Sequence, residues 1–446
     1  MKVIALFISF FFLTDVFIWW CGTRILRRNR ARREFVIAFH FFMLFQIAAQ
    51  ATIVYCRSRN MDVDAIFPLP LMIATFIWHL ILAPVALVLN LLELLRESVR
   101  ALVQWWRERK ARRLTAGERT EKHPEQEWAE EAFPKLDLPE PCPSLGGTAG
   151  SAPGSTLLSR RQFLSAAVAL TPPLFTVSIS AVASEQIRNF RIRRLTVFLP
   201  QLPPELEGAT IAHLSDTHVG RFSHGEVLKK ISDATNALKA DLVVFTGDLI
   251  NDSLTWLPDA LEMLKAIEQP IYLCEGNHDL IVDPFEFRST VKATPGLTLL
   301  LHETKTVRLR GVPVQLMGLC WGGPHRSERK QFGSEFTLER STEQLLRLRD
   351  PNAFPILLAH HPHAWDHAKD VPLTLSGHTH GGQLMLNERL GVGPIMFRYW
   401  TGLYTRPESD PNSAGTLAVS NGVGNWFPLR VSAPAEIIHL TLRRPV

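Results

Sequence analysis

Five short clusters in the second half of this chain combine side chains that bind divalent cations. They are Asp216-Thr217-His218, Gly247-Asp248, Gly276-Asn277-His278-Asp279, Ala359-His360-His361 and Gly377-His378-Thr379-His380. Carboxylate, imidazole and amide carbonyl without a thiolate suit Mn, Fe or Zn better than a closed cysteine site would. Asp216 and His218, two apart in extended chain, are expected on one side, sharing one cation. His378 and His380 have the same spacing, and a turn at Gly377 would aim them at different cations. One such cluster alone is weak, since an Asp or Asn at a strand end is usually a turn former. Five in succession form a pattern that accident does not supply. The histidines outside them, His213, His224, His302, His325, His367 and His439, are read as structural.

The elements that must position these clusters are short apolar runs: Ala209–Leu214, Leu242–Phe245, Ile271–Leu273, Ile356–Leu358 and Leu373–Leu375. Their length and content predict buried strands. A helix is predicted between the first two, with Val227, Leu228, Ile231, Ala234 and Leu238 on one face. Ser223 and Glu226 fit a capping box, and Phe222 with Val227 a hydrophobic staple. Trp256–Ile267 repeats the helical spacing, so the rhythm is βαβα and the class α/β. Each cluster then falls at the carboxyl end of a strand, where ligands gather in open α/β sheets.

The ordered set D-x-H, G-D, G-N-H-D, H and G-H-x-H resembles the calcineurin-like metallophosphoesterase family, over roughly Ala209 to Leu442. Gly381-Gly382-Gln383, and Gly422-Val423-Gly424 before Arg430 and Glu436, look like its membrane-associated bacterial branch. That branch includes twin-arginine-exported phosphodiesterases and is similar to a class of UDP-2,3-diacylglucosamine hydrolases. The resemblance implies an αββα sandwich and two divalent metal ions. One would be held by Asp216, His218, Asp248 and His380, the other by Asp248, Asn277, His360 and His378, with Asp248 bridging. His361 is the alternative to His360. His278 would face the phosphate and leaving group as a catalytic residue, with Asp279 as its orienting partner. In such a site a hydroxide shared by two metals attacks phosphorus in line.

The first half differs in kind. Met1 to Cys21, Phe35 to Cys56 and Ile66 to Leu95 are apolar runs long enough to cross a bilayer, so residues 1–113 are read as an α-helical transmembrane region. Residues 114–158, acidic and then rich in Pro, Gly and Ser, are read as a disordered linker. Phe163 to Ala183 is a fourth apolar run, preceded by Ser159-Arg160-Arg161-Gln162-Phe163-Leu164. Residues 159–184 therefore carry two readings, a twin-arginine-like signal or a fourth span. Arginines gather between runs one and two and after Leu95, which puts both stretches in the cytoplasm. A fourth crossing then puts the domain 195–446 outside it, although Arg188, Arg191, Arg193 and Arg194 follow that run. Asp15 and His40, at similar depth, are expected to meet and pin two helices.

The net charge of +5 is modest for 446 residues and its arginines flank apolar runs, so nucleic acid is not an expected partner. Five scattered cysteines suggest no disulfide framework. The expected function is a membrane-tethered phosphohydrolase acting on phosphodiester or pyrophosphate bonds, with lipid-linked substrates favoured by the tether. The alternative is a non-catalytic metal-binding sensor or scaffold; retention of Asp248, Asn277 and His278 argues against it. A transporter ranks last, because the apolar runs carry few internal charges.

Overall fold

The computed structural model describes residues 2–59, 68–118, 160–321, 335–387, 389–406 and 415–445. The chain forms two compact units, Met1–Val63 with Thr75–Thr176, and Asp64–Ala74 with Val177–Val446.

The apolar N-terminal sequence forms α1 (Lys2–Arg28), α2 (Arg33–Ser58), α3 (Leu69–Ile77), a wide π turn (Trp78–Leu82) and α4 (Ala83–Glu118). A later helix, α5 (Arg160–Arg188), carries Pro172 and Pro173 inside it. Among the described residues, four stretches are long and apolar enough to cross a membrane: Ser9–Arg28, Arg33–Cys56, Leu69–Ala111 and Ala166–Ile187. α4 runs into the expected linker as far as Glu118; the rest of that linker lies outside the described residues. Glu97 of α4 receives Arg24 at 3.0 Å and Arg28 at 2.5 Å, so the first arginine loop and the stretch after Leu95 share one end.

The expected pairing of Asp15 with His40 is not what forms. Asp15 is fully buried, and its two oxygens meet Trp78 Nε1 at 2.7 Å and His79 Nε2 at 2.8 Å. The other ring nitrogen of His79 faces the Thr75 carbonyl at 2.8 Å. His40 is instead the partner of the Trp19 indole. The reason lies in the π turn, which buries both Trp78 and His79 just before Pro84, a residue unable to donate to the helical ladder. A carboxyl buried among apolar side chains needs such partners.

In the second unit the chain alternates strands and helices. Sheet one comprises β1 (Phe190–Phe198), β2 (Thr210–Leu214), β3 (Leu242–Thr246), β4 (Ile271–Cys274), β5 (Leu297–Leu299) and β14 (Ala435–Arg443), in the order β1-β14-β2-β3-β4-β5. Sheet two comprises β6 (Glu303–Leu309), β7 (Val312–Gly318), β8 (Phe354–Leu358), β9 (Leu373–Ser376), β12 (Gly402–Thr405) and β13 (Thr416–Val419), in the order β12-β13-β9-β8-β7-β6. The central strands β2 to β5 and β7 to β9 run parallel. β3 and β8 are buried along their whole length, as near-continuous apolar runs in a covered parallel sheet should be.

The inner faces meet in one core. Ile211 and Val244 of sheet one pack with Leu316, Ile356, Leu358 and Leu375 of sheet two. Outside sheet one lie α6 (Glu226–Leu238), α7 (Leu257–Lys265) and α8 (Pro284–Lys292); outside sheet two lie α9 (Glu335–Leu346) and α10 (Ala364–His367). The layers are α, β, β, α, the expected sandwich. The expected capping box on α6 does not form: the helix starts after Gly225 with no side-chain cap. The Ser223 hydroxyl instead accepts the Asn425 amide at 2.8 Å, a contact 202 residues away in sequence.

Candidate active site

All five clusters sit where predicted, immediately past the carboxyl ends of β2, β3, β4, β8 and β9. Three strands belong to one sheet and two to the other, so the site lies along the edge where both sheets end. The loops are stitched together by backbone bonds: Asp216 N to Gly247 O at 2.9 Å, His218 N to Asp248 O at 3.0 Å, and Gly377 N to His360 O at 3.1 Å. Asp216, His218, Asp248, His378 and His380 all have positive φ, between 44° and 75°. Asp216 and His218 are therefore not extended, as their spacing suggested; left-handed turns bring them together. Such conformations cost non-glycine residues about 1–3 kcal/mol each and persist where the surroundings enforce them. Gly276 and Gly377 permit the close approach, since a Cβ there would lie 2.1 Å from Asp248 Oδ1 and from Asp216 Oδ2 respectively.

The donors converge as two groups. Asp216, His218 and His380 form one, and Asp248, His360 and His378 the other, each with donor atoms within 4.8 Å of one another. Asp216 Oδ1 is 3.3 Å from His380 Nε2. Asp248 Oδ2 stands between the groups, 3.4 Å from His218 Nε2 and 3.1 Å from His360 Nε2. His218 and Asp248 also group with His278. His361 belongs to none of these groups; its ring lies beside Trp321 and His378.

Asn277 Oδ1 is buried and has no hydrogen-bond partner among the described residues. An unsatisfied buried carbonyl costs about 1–3 kcal/mol unless something else meets it. That orphaned oxygen, with the convergent carboxylates and imidazoles, fits a pair of adjacent divalent cations.

The electrostatics prepare most of these groups as ligands. Burial works to raise Asp216 and Asp248, but the surrounding imidazoles, led by His380 and His360 respectively, hold both below the usual carboxylate range. Burial takes His378 down to about 4 and His380 well below its ordinary value, leaving both neutral near pH 7. His360 goes the other way. Burial pulls it down, but the Asp248 and Asp216 carboxylates prevail and raise it to about 9.

Ring orientation is set from behind. His360 Nδ1 donates to the Thr246 carbonyl at 2.7 Å, and His278 Nδ1 to the Asn251 carbonyl at 2.6 Å. When neutral, each ring is thereby left with a bare Nε2. Asp279, expected to orient His278, does something different. Its two oxygens accept the backbone amides of Asp248, Leu249, Ile250 and Gly276 at 2.8–3.2 Å, tying the loop after β3 to the loop after β4. Burial and the Asp248 charge raise its carboxyl to about 8.

Two contributors carried no predicted role. Arg430 is completely buried, with Nη2 3.0 Å from His380 Nδ1 and donating to the carbonyls of Asn421 and Gly424. Trp321 lays its ring 5.0 Å from that of His378 and 5.3 Å from that of His360. Neither position stands out from local spacing. Of the histidines read as structural, His213 bonds Thr246 Oγ1, His439 meets Arg194 and His224 stacks on Trp256; His325 lies outside the described residues.

Residues 209–382 match the family profile described as calcineurin-like phosphoesterase. An uncharacterized metallophosphoesterase of Bacillus subtilis is 31% identical over 253 residues, 54% of this chain and 82% of that protein. A transmembrane protein with metallophosphoesterase domain from Danio rerio is 29% identical, covering 55% of this chain and 55% of its own length. This chain thus spans about half of the Danio rerio relative. A UDP-2,3-diacylglucosamine pyrophosphatase of Chlamydia trachomatis is 25% identical over 55% of this chain and 87% of that protein. By its relatives, its fold and the donors gathered at its sheet ends, the chain belongs to the calcineurin-like metallophosphoesterases, a family of metal-dependent phosphoester hydrolases.

Proposed function

We propose that the chain is a membrane-anchored phosphohydrolase that uses two divalent cations (Mn, Fe or Zn) to cleave phosphodiester or pyrophosphate bonds in lipid-linked substrates. Asp216, His218, Asp248 and His380 would hold one cation, and Asp248, Asn277, His360 and His378 the other. The observation that carries this reading is Asp248, whose carboxylate reaches toward both donor groups while the Asn277 oxygen has no partner among the described residues. When bound, such a pair supplies Lewis acidity and a water acidic enough to act as nucleophile near neutral pH.

The chain's own groups do the rest. His278 is anchored by Asn251, so its free Nε2, once protonated, can hand a proton to the leaving oxygen. Asp279 keeps the loops bearing Asp248 and Asn277 in register. Trp321 and Trp426 wall the histidines with aromatic surface.

The lipid-linked substrate class draws support from the Chlamydia trachomatis relative, named a UDP-2,3-diacylglucosamine pyrophosphatase, and from the four membrane-length helices. We place the catalytic unit on the extracytoplasmic side, with Ala166–Ile187 as a retained fourth span. In support, Arg191 and Arg193 are engaged by the buried Glu436, and Arg194 by His439, so these arginines are part of the folded domain. Asn425 Nδ2 also bonds the Ile187 carbonyl at 3.0 Å, tying the end of α5 into the same unit.

The test is hydrolysis of bis-p-nitrophenyl phosphate and p-nitrophenyl phosphate by the full chain in detergent, with Mn and after chelation, beside Asp248→Ala. Metal-dependent cleavage that Asp248→Ala abolishes supports the reading, and the preferred ester separates diesterase from monoesterase. Equal cleavage by the chelated enzyme or the variant would sink it.

A further inference from the structure

The turn that carries His380 (His380–Gly382) leads directly into a hairpin of β10 (Met385–Asn387) and β11 (Leu390–Gly391), then into α11 (Val392–Met396). The inward side of this segment is packed: Met385 is buried and its Sδ receives the Gly393 amide at 3.3 Å. Its outward side is large and aliphatic. Leu386 is 77% exposed, Leu390 57%, Ile395 83% and Met396 67%. Scattered exposed leucines need no explanation, but four within one short segment next to a reaction site do.

Two further apolar groups start from the same site. Phe285, 80% exposed, lies a short way past the His278 turn, while its helix buries Phe287 and Val291 instead. Trp426 is partly exposed, with its ring 6.0 Å from that of His278 and 6.4 Å from that of His380. Arg389 and Arg398 are exposed on the hairpin segment and just beyond α11.

We infer that Met385–Asn387 and Arg389–Met396, with Phe285 and Trp426, form an interfacial docking surface that enters the headgroup layer of a lipid bilayer beside the reaction site. The occupant follows from the rest of the chain. Four helices of membrane length keep a bilayer within reach of this domain, and no encounter with a separate partner is required. Exposed aliphatic side chains with an aromatic ring and arginines are the composition that partitions into an interface, the arginines meeting anionic headgroups. Docked this way, the site would receive phosphoesters at headgroup depth. That last step rests on the proposed hydrolase function; the docking does not.

The experiment uses the full chain with Cys142→Ser; Cys21, Cys56, Cys274 and Cys320 are buried. Ile395→Cys, and Lys229→Cys on α6 as control, are labelled with a polarity-sensitive fluorophore and reconstituted in phosphatidylethanolamine–phosphatidylglycerol vesicles. The Ile395 label should shift to the blue and be quenched by lipids bearing an acyl-chain nitroxide, while the control is quenched by aqueous iodide. An Ile395 label open to iodide and indifferent to the nitroxide lipid overturns the inference. So does a shift that follows protein density in the vesicle, because that occupant would be a second copy of this chain. In parallel, Leu386→Asp with Ile395→Asp should leave bis-p-nitrophenyl phosphate turnover unchanged. The same pair should slow cleavage of vesicle-embedded CDP-diacylglycerol on the order of tenfold, as charge is kept out of the interface. If the unsubstituted chain cleaves neither ester, the hydrolase reading fails, and the fluorophore alone decides the docking.

Discussion

Asp248 and His360 follow strands of different sheets, yet the Asp248 carboxylate stands 3.1 Å from His360 Nε2. This contact exists only because the two sheets pack with their carboxyl edges together. In the metal-free site it is a proton-carrying pair, since His360 is held protonated to about 9. A cation binding there must displace that proton, so loading should release protons and weaken as the pH falls.

Replacing Asp248 and replacing His278 should have separable effects. Asp248→Ala should lose bound metal and activity together. His278→Ala should keep its metal, measured by elemental analysis, and lose turnover by roughly 10²–10⁴, the usual worth of a positioned general acid. Equal metal loss in both variants would refute the division of roles.

Asp279→Ala should destabilise the domain without touching any of the proposed metal donors. It strands four backbone amides, of which even one left unsatisfied costs about 1–3 kcal/mol. The melting temperature of metal-loaded protein should drop clearly, and Asp279→Asn, which keeps one acceptor oxygen, should lie between. A melting temperature unchanged in Asp279→Ala would show that the loops hold without it.

Chelator-stripped protein should lose stability on both sides of mildly acidic pH. His360 rises from 6.5 to about 9 and Asp279 from 3.8 to about 8 on folding. Raised groups stabilise below their unfolded values, and that contribution is lost as pH climbs through the folded ones. His213 and His378 fall to about 4, so their contribution is present above 6.5 and lost as pH drops through 4. Melting temperatures across this range, with and without Mn, check the signs. A stripped protein that grows steadily more stable from pH 6.5 to 9 contradicts them.

In the apolar unit, Asp15→Ala should cost about 1–3 kcal/mol by leaving the Trp78 indole without its acceptor and His79 Nε2 without its partner. His40→Ala should cost less, because His40 does not meet Asp15. Melting in detergent compares them; equal losses would count against the Asp15–His79 pairing.

Much of the site was legible because the relevant information is local. A buried strand ending in Asp, His or Asn announces itself within a few residues, and all five clusters emerged at strand ends. The splitting of His378 from His380 was foreseen because Gly377 marks a turn. The capping box at Ser223 failed for the opposite reason: the pattern was local, but the hydroxyl bonds Asn425 across the fold.

By itself, the sequence determined the α/β alternation, the residue types that stand at the strand ends and the membrane-length apolar helices, since these follow from residue type and short-range periodicity. Tertiary structure alone decided which side chains meet. Asp279 turns to backbone amides rather than to His278, Asp15 to His79 rather than His40, and Arg430 reaches His380 from fifty residues away. Such pairings depend on sheet packing, on a wide helical turn and on left-handed backbone at Asp216, His218 and Asp248. None of these has a signature at the spacing of neighbouring residues, because each is imposed by distant chain.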